Sequence, residues 1–338
     1  RDRGAEAQGV HPRGGAVSAE YREADTNKLR TVPISQRHNK VDPSTLAHAP
    51  SGARSFAAFW DSLPDVLAAR DLRFVAEKIA AAAGRRGVIA LLGGHVIKVG
   101  LGPLLIELMR RRALTHVAMN GSAAIHDFEL AAYGGTSEDV AAGLADGTFG
   151  MAEETGRDMN AALAAGHRAG QGAGEALAKA LSGRKPLPGR DASVLVASET
   201  LGVPVTVHAA IGAEIIHQHP TADGAALGAT SLRDFRRLAG AVPALHDGGV
   251  VLNIGSAVVM PEVFLKALTL ARNLGHAVTG FSTANLDFIQ GYRPGVNVVE
   301  RPVAGHGRGF RLTGHHEILV PLVAAMLVEK AGGRGGRP

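Results

Sequence analysis

Apolar positions follow two different rhythms along the chain. Short continuous runs stand in "GVIALLG" (87–93), "THVAMNG" (115–121), "GVPVTVHAAIG" (202–212), "GGVVLNIGS" (248–256) and "AVTGFSTAN" (277–285). Between them, apolar residues recur at helical spacing in "LGPLLIELMRR", "AAIHDFELAAY", "SLRDFRRLAGAVPAL" and "PEVFLKALTLARNLG". A closing helix is expected from near His315 through "EILVPLVAAMLVEK", and an earlier one from about Pro64 to Ala83. "TSED", Thr136 to Asp139, reads as a capping signal, and the Ala-rich stretch 151–183 reads as a long helical region broken at "AGQGAG". Strands that are apolar throughout, each followed by a helix, suit a parallel sheet covered on both faces. The predicted fold is therefore α/β, a doubly wound, mostly parallel sheet.

Composition sharpens this picture. The chain has 338 residues, 46% of them hydrophobic but only 4% aromatic, so the core must rest on small aliphatic side chains. Residues 1–30 read as a flexible tail, 31–86 as an arm and helix, 87–331 as one α/β nucleotide-binding domain, and 332–338 as a second tail. No cysteine is present, which excludes disulfides, thiolate metal sites and cysteine nucleophiles. The net charge of +5 comes from scattered basic residues without interleaved aromatics, so no nucleic-acid partner is expected. No apolar run is long enough for a membrane span and no signal-peptide pattern opens the chain. A cytoplasmic protein with no membrane partner is the expectation.

In a doubly wound sheet ligands bind where strands end at their carboxyl edge. The loops there read "GGHVIKVG", "NGSAAIHD", "AAIGAEIIHQHP", "NIGSAVVMPE" and "STANLDF". Their small residues let backbone N–H groups approach a phosphate, although the G-x-G-x-x-G fingerprint is missing from the first turn. His95 and Lys98 are expected in that turn, Lys98 pairing with a phosphate, serving as an amine nucleophile if desolvated, or lying along a helix start. Asn120 stands in the second turn, with His126 and Asp127 at the head of the next helix, where adjacent residues face different ways. "HQHP" leaves a zinc-dependent hydrolase open as an alternative, using His208, His217 and His219 with Asp223 in reserve. Serine hydrolysis has no G-x-S-x-G elbow to support it.

The order of these motifs resembles the deoxyhypusine synthase family, colinearly from about Gly87 to Leu327. "GGHVIKVGLGPLLIELM", "THVAMNGSAAIHDF", "GVPVTVHAAIGAEI", "LNIGSAVVMPEVFLKA", "STANLDF", "GYRPG" and "HEILVPLVAAMLVE" carry the resemblance. It implies a Rossmann-like, NAD-binding fold in a homotetramer, with polyamine chemistry nearby. By position it places nucleotide contacts at Gly94, Asn120, Gly121, Ser122, Thr283, Ala284 and Asp287. Two departures stand out: "GYRPGVNVVERP" ends in Arg301 and Pro302 where the family has its imine-forming lysine, and Pro261 and Glu262 replace a family histidine. An arginine cannot supply that amine. The "VIKVG" region is also similar to archaeal-type ornithine cyclodeaminases, which implies NAD used as a resident redox catalyst without a covalent lysine.

The resulting expectation is an NAD-dependent transferase or lyase acting on an amine or amino acid through transient oxidation to an imine. His95, Lys98, His126, Glu214, His315 and Glu317 are the candidates for acid and base. A nucleotide-binding regulatory protein without turnover is the second alternative.

Overall fold

A computed structural model describes residues 55–332, together with 29, 30, 33, 36, 44 and 46–48. The chain divides into two units, Arg1–Asp42 and Pro43–Pro338, and every strand belongs to the second. Apart from Leu29, Arg30 and Gly332, the expected tails over 1–30 and 332–338 lie outside the described residues.

Six strands form one sheet: β1 Val88–Leu92, β2 His116–Asn120, β3 Val205–His208, β4 Val250–Ile254, β5 Ser282–Asp287 and β6 Arg308–Thr313. Every neighbouring pair is parallel, in the order β3-β2-β1-β4-β5-β6. That is the doubly wound Rossmann-like order, whose direction reverses between β1 and β4. β1 is buried along its whole length, and alternate residues serve opposite faces. Val88, Ala90 and Leu92 join one core, while Ile89 and Leu91 join the other.

The helices are α1 Phe56–Ser62, α2 Leu67–Ala82, α3 Gly94–Lys98, α4 Gly102–Arg110, α5 Gly121–Tyr133, α6 Val140–Asp146, α7 Glu153–Arg168, α8 Ala173–Ser182, α9 Val194–Leu201, α10 Gly224–Ala241 and α11 Val259–Asn273. A closing helix, His316–Gly332, ends the described chain. α2 buries Leu72, Val75, Ala76, Ile79 and Ala82, a one-face stripe at helical spacing, in the core that holds Leu92. α10 and α11 cover the opposite face, where Leu238, Phe264 and Leu268 pack with Leu91.

Several local expectations shift. His95 and Lys98 lie on the short helix α3 rather than in a turn. α6 is capped by Asp139, whose side chain accepts the Ala142 N–H, not by Thr136. The Ala-rich region does break where expected, into α7 and α8. α9 and β6 have no counterpart in the sequence-based reading, because only Phe310 and Leu312 of "RGFRLT" are buried and "VLVASETL" is too short to show a helical period. α9 is held by a distant residue. The buried Asp127 carboxylate accepts the Ser193 hydroxyl at 2.6 Å and the Val194 and Leu195 N–H groups at 2.8 and 3.1 Å. Among the described residues, no helix is long and apolar enough to cross a membrane.

Candidate functional site

The carboxyl ends of β1, β2 and β3 open onto a cavity of about 580 Å³. Lys98 reaches it from α3, and Ser122, His126 and Glu129 line it from successive turns of α5. The α5–α6 loop adds Thr136 and Glu138, α7 adds Glu154 and Thr155, and the loop after β3 adds Glu214. Four glutamates therefore face one lysine and one histidine in a chain whose net charge is positive.

Two glycines bring the walls together. A Cβ on Gly94 would stand 2.9 Å from Ser122 Cβ and 3.3 Å from His126 Cδ2, so the start of α3 lies directly on α5. A Cβ on Gly121 would stand 2.5 Å from Glu214 Cδ, so the Glu214 carboxyl occupies the space at the start of that helix. Asn120 caps the helix, its side chain accepting the Ala123 N–H at 2.9 Å.

The electrostatics of the cavity favour neutral acid–base groups. Burial pushes the His126 imidazole below its ordinary value, opposed by Glu129 and reinforced by the positive fields of Lys98 and His95. His126 Nδ1 stands 2.7 Å from Thr136 Oγ1, while its Nε2 has no hydrogen-bond partner among the described residues. Burial also raises the Glu214 carboxyl to about 7, although the N–H groups of Ala210 and Gly121 support its charged form. Glu214 Oε2 has no donor, yet His217 Nδ1 lies 3.1 Å away and itself accepts the Gly212 N–H.

The other candidates stand elsewhere. His95 is exposed and lies beside the buried His316, ring centres 5.6 Å apart. His315 stacks on Phe288, its Nδ1 3.7 Å from Glu317 Oε1, and both are exposed at the start of the closing helix. Asp287 ends β5, 3.7 Å from His316 Nε2. These groups line the edge formed by β1, β4 and β5, apart from the cavity. Thr283 and Ala284 are fully buried in the first half of β5, in register with Val251 and Leu252, and the Thr283 hydroxyl has no hydrogen-bond partner. Of the adjacent pair, His126 faces the cavity and Asp127 the interior.

The zinc alternative fails on geometry. His208 is buried on Thr206, which it shares with His116; His217 turns to Glu214 and Gly212; His219 pairs with Thr221. Among the described residues no group of three or more His, Cys, Asp or Glu stands together to hold a metal.

A dinucleotide in a sheet of this order would lie where the direction reverses, between β1 and β4. There the Gly93 N–H donates to Ile254 O at 3.0 Å, and a Cβ on Gly93 would strike Gly255 O at 1.9 Å. Two buried acceptors at this edge lack donors. Asn253 spends both hydrogens of its amide on Ser256 O and Asn285 Oδ1, leaving its own Oδ1 unpartnered. His316 Nε2 bonds the Leu286 carbonyl and so carries the hydrogen, leaving Nδ1 unpartnered. Acceptors without donors fit a ligand rich in hydroxyl and amide hydrogens, as a dinucleotide is.

The sequence-based reading missed Glu129, Thr136, Glu138, Glu154, Thr155 and His316. Only Glu129 carried a local signal, one helical turn beyond His126.

No protein-family model matches the chain. No curated protein matches it either. Solved structures with a similar fold include a conserved protein of proposed LOR/SDH type from Methanococcus maripaludis, 14% identical over 84% of this chain and 73% of that one, with a TM-score of 0.46. The cyanobacterial arginine dihydrolase ArgZ is 12% identical over 79% of this chain, TM-score 0.49, and this chain spans only 34% of its length. A proposed deoxyhypusine synthase from Entamoeba histolytica is 8% identical over 83% of this chain and 95% of that one, with a TM-score of 0.48.

Proposed function

We propose that this chain is an NAD-binding enzyme that acts on a small amine or amino acid, with the amine held in the acidic cavity. The observation that carries the reading is the cavity itself: four glutamates, one lysine and a histidine held neutral by burial, at the carboxyl edge of a sheet in dinucleotide-binding order. Glu129, Glu138 and Glu154 favour a cationic ammonium. Lys98 suits the carboxylate that an amino-acid substrate would add. His126 is placed to take a proton from the bound ammonium, and Glu214, partly protonated near neutrality, to return one. Asn253, His316 and Asp287 would hold the dinucleotide at the β1–β4–β5 edge. NAD, when bound, supplies the hydride acceptor that oxidation of an amine to an imine requires. The homotetramer implied by the family resemblance belongs to the same proposal.

Calorimetric titration of the purified chain with NAD, after carried nucleotide has been removed, tests the reading. Saturable binding, followed by growth of the reduced-nicotinamide absorbance when a primary amine is added, is the expected result. No binding, with no nucleotide carried through purification, would overturn it.

A further inference from the structure

The hydrogens around His126 can be counted. Thr136 has a single hydroxyl hydrogen and gives it to Glu129 Oε2. Thr155 gives its own to Glu129 Oε1 at 2.8 Å, so both carboxylate oxygens act as acceptors. With its hydrogen spent, the Thr136 oxygen can only accept from His126 Nδ1, 2.7 Å away. His126 Nδ1 must then carry the ring hydrogen, which leaves a lone pair on Nε2. Nothing among the described residues bonds that nitrogen, and His126 lines the cavity.

We propose that Thr136 and Glu129 are positioning residues that fix the hydrogen of His126 on Nδ1 and present its Nε2 to the cavity as the proton acceptor. This deepens the proposed function, on which the catalytic meaning of the relay rests. The arrangement is a carboxylate oriented onto an imidazole through one hydroxyl. Its logic is that of a base held in one tautomer by a partner that also stabilises the imidazolium once a proton arrives. The parts come from three places: His126 and Glu129 from one face of α5, Thr155 from α7, and Thr136 from the α5–α6 loop. Gly134 turns that loop with φ of 78°, and Glu138 pins it by accepting the Gly150 N–H on both oxygens at 3.0 and 3.1 Å. The base is therefore set by a loop outside the sheet framework.

The charged groups around His126 oppose one another. Glu129 favours its protonation, whereas Lys98 and His95, both on α3, disfavour it. Glu138, Glu154 and Glu214 complete the acidic wall of the cavity.

The experiment is nitrogen NMR of the full chain labelled at histidine, with the His126 signals assigned by their disappearance in His126→Gln. In the unaltered protein Nε2 should resonate as a bare ring nitrogen and Nδ1 as a protonated one. Thr136→Val should mix the tautomers, and Thr136→Ser should restore the single one. Glu129→Gln should lower the titration midpoint of His126 by about one unit, the size of a lost nearby charge. A hydrogen found on Nε2 in the unaltered protein would overturn the proposal, as would a Thr136→Val ring pattern identical to the unaltered one. If Thr136→Val does not fold, Glu129→Gln decides, and an unmoved midpoint sinks the relay. None of these signals needs NAD or a substrate, so failure of the relay and failure of the enzymatic reading remain separate results.

Discussion

Gly121 and Glu214 pack directly on one another beside the cavity. An alanine at Gly121 places a methyl group where the Glu214 carboxyl now sits, so Gly121→Ala should displace that side chain and abolish its perturbed titration, seen by carboxyl NMR. Glu214→Gln tests the same group through stability. The folded pKa of about 7 exceeds the ordinary 4.5, so in this window the native state holds a proton that the unfolded state has released. Stability must then fall as pH rises through the window, and a neutral glutamine should lose that part of the slope. Melting curves on either side of the window should show Glu214→Gln gaining on the unaltered protein as pH rises; an unchanged gap would contradict the burial of this carboxyl. His126→Gln should leave NAD binding unaltered and reduce amine turnover by roughly 10²- to 10⁴-fold, the usual worth of a general base. Lys98, Ser122, His126 and Glu214 were legible in the sequence because each follows a strand closely. Thr136 was read there only as a cap, because its role depends on Glu129 and Thr155 meeting it across a loop and a second helix.

At the scale of elements, the sheet depends on close backbone approach at its point of reversal. Gly93→Ala would drive a methyl group into the Gly255 carbonyl, forcing the β1 and β4 ends apart. We expect it to cost about 1–3 kcal/mol in urea unfolding, the range of overpacking inside a packed framework. Gly228, inside α10, has nothing within 4 Å of its absent Cβ. Gly228→Ala should therefore stabilise the protein by about 0.5–1 kcal/mol, since it restores helix propensity without a clash. The pair separates a glycine required by packing from one that packing does not require. β1 to β4 were legible because they are buried on both faces and mostly apolar, whereas β5, equally buried, carries Ser282, Thr283, Asn285 and Asp287 and was marked only by the apolar residues just before it. β6, at the sheet edge with only Phe310 and Leu312 buried, left no such mark. α10 begins seven residues before its expected start at Ser231, because Asp223 caps the Gly224 end and the early turns carry small residues that show no period.

Across the whole molecule, charge is sorted by position. A chain of net charge +5 encloses a cavity with four carboxyl side chains and one ammonium. Small primary amines should bind there and weaken as salt rises, whereas neutral molecules of the same shape should not respond to salt and simple carboxylates should not bind. Equal binding of amines and carboxylates, measured by calorimetry at low salt, would contradict the assignment of the cavity. The alternation of apolar runs and helical spacing by itself determined the layered α/β class, because a buried parallel strand and an amphipathic helix each impose a local rhythm. Local rhythm cannot say which strands become neighbours, and so the reversal between β1 and β4 was decided only by tertiary packing. The same holds for the histidines. Nothing in "HQHP" or "GHHE" shows that His217 turns to Glu214, that His219 pairs with Thr221, or that His316 rather than His315 is buried beside His95. Those outcomes depend on where distant segments meet in space. A residue's type and its distance from a strand end were written in the sequence; its hydrogen-bond partner, and hence its protonation, belonged to the folded chain.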